Sequence, residues 1–171
     1  MRNLDSAVLE MLRRDSGISL SADGVFHYRD APVENTRVQA LFHQGLSVRE
    51  DGEVILSVGK MWAYVQVATV ATFVAGLRRD AQGLHLRLRS GRTLLAATPV
   101  LASAPDARFY VWPGPGEGVS CFDASAHRAL IGLLELREET LGLTVGSKWC
   151  PVEEIGEIPH PLSAAPIIAE A

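Results

Sequence analysis

Between Val48 and Ala97 short apolar runs alternate with turn residues, and this pattern constrains the fold more than any other stretch. Val54, Leu56 and Val58 follow an Asp51-Gly52 turn and read as the return arm of a hairpin from Val48. Lys60 to Val67 alternates Met61, Ala63, Val65 and Val67 on one face with Trp62, Tyr64 and Gln66 on the other. Ala68 to Leu77 is rich in Val, Thr and Phe, a strand composition. Leu84, Leu86 and Leu88 alternate with His85, Arg87 and Arg89 between the turns Gln82-Gly83 and Ser90-Gly91, and Thr93 to Ala97 returns. The expected structure is an antiparallel meander, and a meander of this length curves strongly.

Flanking this run are two hairpin–helix units. In the first, the Asp23-Gly24 turn joins two short strands, Asn35 or Thr36 caps a helix, and Val38, Leu41, Phe42 and Leu46 form its apolar stripe, with Gly45 sitting where a helix would stop. In the second, Arg108 to Trp112 and Val119 to Phe122 flank a Pro/Gly turn. Asp123 then caps a helix with Ala126, Ala129, Leu130, Leu133 and Leu134 on one side. The two caps are 88 positions apart (123 − 35), and that offset superposes four of five stripe positions apolar on apolar. A strand hairpin follows each helix. The expectation is an α+β fold: a curved antiparallel sheet with short helices, built by internal duplication of a hairpin–helix–hairpin motif. The expected division is an N-terminal helix in 1–17, a first lobe at 18–98, a shorter second lobe at 107–152 and a flexible tail at 153–171. Leu4, Val8, Met11 and Leu12 mark the first helix. Pro99 to Asp106 reads as a connector between the lobes. In the tail, which holds three prolines, Ile155, Ile158, Ile167 and Ile168 are the available docking anchors.

DGVFHYRDAPVENTRVQALF resembles the opening segment of an uncharacterised bacterial family: an Asp-Gly turn, an aromatic strand, a Pro-Ile/Val pair, and a helix ending in Leu-Phe. KMWAYVQVATVATFVAG is similar to its central strand pair. YVWPGPGEGVSCFDASAHRALIGLLEL and LGLTVGSKWCPV resemble its closing segments. The resemblance spans most of residues 18–152. It implies a repeated structural motif, a second lobe superficially like pleckstrin-homology folds, and a binding or signalling role at the lobe interface. One departure is the turn Val145-Gly146-Ser147-Lys148-Trp149, where the family has Trp-Ser-Gly-Gly. If that turn lines the family's ligand site, the ligand here differs.

The formal charge of −4 gives no global attraction to nucleic acid or to anionic membranes. Asp5 and Glu10 interrupt the apolar run that a signal peptide needs, and no apolar stretch approaches the roughly 20 residues that span a bilayer. Two cysteines, Cys121 and Cys150, have no CxxC spacing, which speaks against a zinc site; their count allows a disulfide, and the simplest reading is a cytoplasmic protein with two reduced thiols. The five histidines form neither HxH nor HxxxH, so no metal site is expected. The segment from Gly114 to Gly118 reads as a hairpin turn, because Pro115 removes an amide and a strand follows. Ser120, Cys121, Asp123 and His127 have neither the GxSxG elbow nor a free acid, since Asp123 serves as the cap.

What remains is a basic face. His85, Arg87 and Arg89 share one side of a strand, with Arg78, Arg79 and Arg92 nearby, and Lys60, Trp62 and Tyr64 join them if their face points the same way. Cations beside aromatic rings suit a small planar anion such as a nucleotide. The ordinary reading is that alternating strands show their charges to water. The expected function is non-enzymatic: a ligand-binding or regulatory protein, with a signalling role, taking a small anionic ligand at the lobe interface or on Lys60, Trp62, Tyr64, His85, Arg87 and Arg89. The alternative is a scaffold that binds a protein partner through strand edges or the N-terminal helix, and an enzyme ranks third. No catalytic residue, cofactor or metal is assigned.

Overall fold

The computed structural model describes residues 5–168 and divides the turn-rich run between two sheets. The protein is α+β, with three short helices among the described residues. Helix α1 (Ser6–Arg14) comes first, capped by the Asp5 side chain; Leu4, counted in its apolar stripe, lies outside the described residues. The first sheet contains β1 (Ile18–Leu20), β2 (Phe26–Tyr28), β3 (Ala31–Pro32), β4 (Leu46–Val48), β5 (Val54–Val58) and β6 (Met61–Val67), with α2 (Thr36–Gly45) between β3 and β4. Asn35 caps α2 by accepting from the amides of Arg37 and Val38. The strand order is β3-β2-β1-β6-β5-β4, closed by a parallel pair that sets Ser19 beside Gln66.

At Ala68 to Ala71 the chain leaves this sheet. Val70 and Ala71 are buried, so this apolar stretch is a crossing between sheets and carries no alternation. Then β7 (Thr72–Arg79), β8 (Leu84–Leu88) and β9 (Thr93–Ala96) form a local meander. Next comes β10 (Val100–Ser103), where the sequence suggested a connector. Prolines bracket it, and both Leu101 and Ala102 are fully buried, so it shows no alternation. After it run β11 (Phe109–Trp112), β12 (Ser120–Phe122), α3 (Ala124–Ile131), β13 (Glu135–Arg137), β14 (Thr140–Val145) and β15 (Lys148–Glu154). The second sheet has the order β13-β14-β15-β10-β11-β12-β7-β8-β9.

Taken from β12 to β13, that order repeats the first sheet strand for strand, including a parallel pairing of first and last strands that sets Leu101 beside Val152. The β7–β9 meander is joined to the edge strand β12 by a further parallel pair. Turn hydrogen bonds repeat as well. Ser21 N donates to Val25 O and Gly24 N to Ser21 O, while Ala104 N donates to Arg108 O and Ala107 N to Ala104 O.

Alternation in the central strands of the second sheet feeds two cores. Phe73, Ala102, Tyr110 and Cys121 pack with Leu20, Phe26, Val54, Leu56 and Val65 of the first sheet. The intervening Val74, Leu101, Val111 and Phe122 join Leu84, Leu86, Leu88, Leu143 and Val145 around Ala126 and Leu130 of α3. Residues from eight of the nine strands, all but β13, converge on this one cluster only if the sheet curls, and a bulge at Val74/Gly76 adds curvature. Beyond β15, Ile155 packs on the first core, Pro159 is buried, and Trp112 Nε1 donates to Ser163 O at 2.8 Å. No helix among the described residues is long and apolar enough to cross a membrane.

Candidate functional site at the seam between the sheets

The sequence-derived residues fall into two groups. Trp62 and Tyr64, on β6, are covered by α1. The Arg13 guanidinium lies 4.0 Å from the Trp62 ring centroid and that of Arg14 4.1 Å from the Tyr64 centroid. The Tyr64 hydroxyl donates to Glu10 Oε1 at 2.9 Å and accepts from Arg49, while Arg14 also pairs with Glu53 at 2.7 Å. Lys60 sits in the β5–β6 turn, exposed. The helix therefore docks by its charged side and leaves Val8, Met11 and Leu12 facing out.

His85, Arg87 and Arg89 belong to the other sheet and do not meet the β6 aromatics. His85 Nε2 lies 2.7 Å from Asp80, a carboxyl held down to about 2 chiefly by the hydrogen bond from Arg78. Arg87 donates to Ala75 O. Arg89 alone turns toward the seam. Its Nε donates to Asp123 Oδ2 at 3.1 Å and its Nη1 to Gly24 O, and its guanidinium lies over Phe73.

The seam is built around the β1–β2 turn. Gly24 takes φ +75, a left-handed value that costs glycine nothing. Its carbonyl accepts from both Arg89 and His43 Nε2, the latter at 3.0 Å. Burial pushes the His43 ring down to about 4, so it is neutral at pH 7. From the second unit, Arg108 reaches Asp23 at 2.7 Å and Asp106 at 3.4 Å. These aspartates occupy corresponding turns, 83 positions apart (106 − 23). The hydrogen bond to Asp23 raises the Arg108 pKa further. Asp106 also accepts from the Tyr110 hydroxyl at 2.7 Å.

A cleft of about 470 Å³ opens here, lined by Asp23, Arg89, Arg108, Asp123, His127 and Arg128 among others. Three guanidinium groups face two carboxylates. Arg128, exposed on α3, makes no ion pair among the described residues; its Nε donates only to Ala124 O. Asp123 is consumed by capping α3 and by Arg89, while Ser120 and Cys121 are buried, so this group assembles no nucleophile–base pair. Arg108 and Arg128 escaped the sequence reading, and His127 was weighed there only as a catalytic base, because only tertiary packing brings turn and helix together. The available signal was the pair of equivalent aspartates, Asp23 and Asp106.

Fold and seam together define a class: a two-sheet α+β protein whose halves share one strand order and meet at a cation-rich cleft. Similar solved structures are DUF1285 family proteins. One from Silicibacter pomeroyi DSS-3 is 18% identical with a TM-score of 0.61, covering 80% of this chain and 79% of that one. One from Shewanella baltica OS155 is 15% identical with a TM-score of 0.49, covering 68% and 91%. The likeness to the Silicibacter protein is one of fold, and it bears out the resemblance to an uncharacterised bacterial family. No protein-family model matches the sequence, and no curated protein does.

Proposed function

We propose that the protein is a non-enzymatic binding or regulatory protein that takes a small anionic ligand in the seam cleft between two copies of a duplicated β3αβ3 unit. The supporting observation is the convergence of Arg89, Arg108 and Arg128 with His127 on one cleft of ligand size. The matching strand orders support the duplication, and on this reading its units are 18–67 and 100–154, with the β7–β9 meander between them. A ligand held by both units would report its presence through their relative position, which is the basis for a signalling role. Two free, buried cysteines fit a cytoplasmic setting.

The test is a thermal shift titration with pyrophosphate and a nucleotide panel, followed by calorimetry. Ligand at about 100 times Kd stabilises by about 2.7 kcal/mol, a shift of several degrees. Arg128→Glu, at an exposed position, is expected to abolish the shift and keep the fold. A shift that survives this variant refutes the site. The second reading is a protein partner docked on α1, favoured by the outward apolar face of Val8, Met11 and Leu12.

A further inference from the structure

Beside the cation-lined cleft is another of about 360 Å³, lined by Val25, Val33, Glu34, Thr36, Gln39, Ala40, His43 and Arg89. Val25 and Arg89 line both, so the two clefts adjoin across the Arg89 side chain. The 88-position offset pairs Thr36, Gln39 and Ala40 of α2 with Ala124, His127 and Arg128 of α3. The clefts thus use corresponding faces of corresponding helices. At these positions the second unit carries an imidazole and a guanidinium, while the first carries an amide and a methyl group.

The second cleft has its own chemistry. Val25, Val33 and Ala40 supply apolar surface. The Gln39 amide is occupied by Phe26 N, Phe26 O and Val33 O, so it serves as a fixed wall. His43 is buried and donates to Gly24 O. Glu34 is exposed and makes no ion pair among the described residues, leaving a carboxylate free to accept. A carboxylate repels phosphate and attracts hydroxyl or amino donors. The paired clefts are therefore polar in one direction, cationic under α3 and acceptor-bearing under α2.

Resting on the proposed anion site, we infer that the ligand is a phosphate ester with an uncharged, donor-bearing ring body, of the nucleoside monophosphate class. Its phosphate lies against Arg108 and Arg128, its body spans Arg89, and its hydroxyl or amino donors meet Glu34.

Calorimetry on the full chain with inorganic phosphate, ribose 5-phosphate, adenosine and adenosine monophosphate tests this. One of the phosphate esters binds at least about 10-fold tighter than inorganic phosphate, the yield of one further charge-assisted hydrogen bond. Glu34→Gln weakens the ester by about 10-fold and leaves phosphate unchanged, and Thr36→Trp, which narrows the second cleft, does the same. Arg128→Glu removes both. Circular dichroism and melting of each variant establish that the fold is intact. Esters that bind no tighter than phosphate, or that ignore both α2-side variants, overturn the inference and leave the anion site standing. Absence of all binding overturns both.

Discussion

Gly24→Ala is expected to be among the most damaging single-methyl additions at the seam. A Cβ at this position would stand 2.8 Å from Phe73 Cγ and 2.9 Å from Arg89 Nη1, where the neighbours are a buried ring and a guanidinium already bound on two sides. Three costs combine. Left-handed backbone costs alanine about 1 kcal/mol. Overpacking against Phe73 adds about 1–2 kcal/mol. Displacing Arg89 weakens its bonds to Gly24 O and to Asp123, worth about 1–2 kcal/mol with a charged donor. The expected loss is about 4 kcal/mol, or a fall of about 2 M in the urea midpoint at a slope near 2 kcal/mol/M. The second unit provides the control. Ala107, at the corresponding turn position, already sits at φ +61, so Ala107→Gly relieves strain and gains about 0.5 kcal/mol after the entropy cost of glycine. Equilibrium urea unfolding of both variants checks the pair. A loss below about 1 kcal/mol for Gly24→Ala, or destabilisation by Ala107→Gly, refutes the reasoning about the seam.

His43 makes stability depend on pH. Its folded pKa is depressed by burial to about 4, below its unfolded value, so the unfolded chain takes up the proton first. The His43 contribution is complete above about pH 6.5 and is lost as pH falls toward 4, a decline of about 3 kcal/mol that His43→Gln flattens in urea titrations at several pH values. The turns Arg29-Asp30 and Glu138-Glu139 place non-glycine residues at positive φ in succession, so Asn-Gly at either site is expected to raise stability by about 1 kcal/mol in the same assay. Burial pushes the Cys121 thiol up to about 12 and raises that of Cys150, so native protein is expected to leave both unreacted with a thiol reagent until denaturant is added.

Local chemistry was legible in the sequence, and long-range pairing was not. Asn35 and Asp123 announce themselves as caps because an amide or carboxylate before an apolar-periodic run has one common use. The alternation at Leu84, Leu86 and Leu88 marks a half-buried strand, which is what forms. Val100 to Ser103 was hidden because a strand buried on both faces loses its alternation, and the prolines around it resemble a linker. The crossing at Ala68 to Ala71 was hidden for the same reason: apolar residues join β6 and β7 without a turn signal, so the meander read as continuous. The site divided along similar lines. Arg89 was legible as a charge on an alternating strand, but its separation from Trp62 and Tyr64 depends on which sheet each strand enters. Nothing in the local sequence sets Arg108 and Arg128 apart from other cations; only the fold brings both to one cleft.

The parallel pairing within each half puts its first strand beside its last, so each half completes its own ladder without borrowing a strand from the other. Such a half is a cassette. Extra chain can enter between the halves without prising open either ladder, and the β7–β9 meander occupies that slot. The order of manufacture also follows. Each closing pair joins residues far apart in sequence, whereas β7–β9 pairs residues close together, so the meander is poised to assemble early and offer β12 an edge to join.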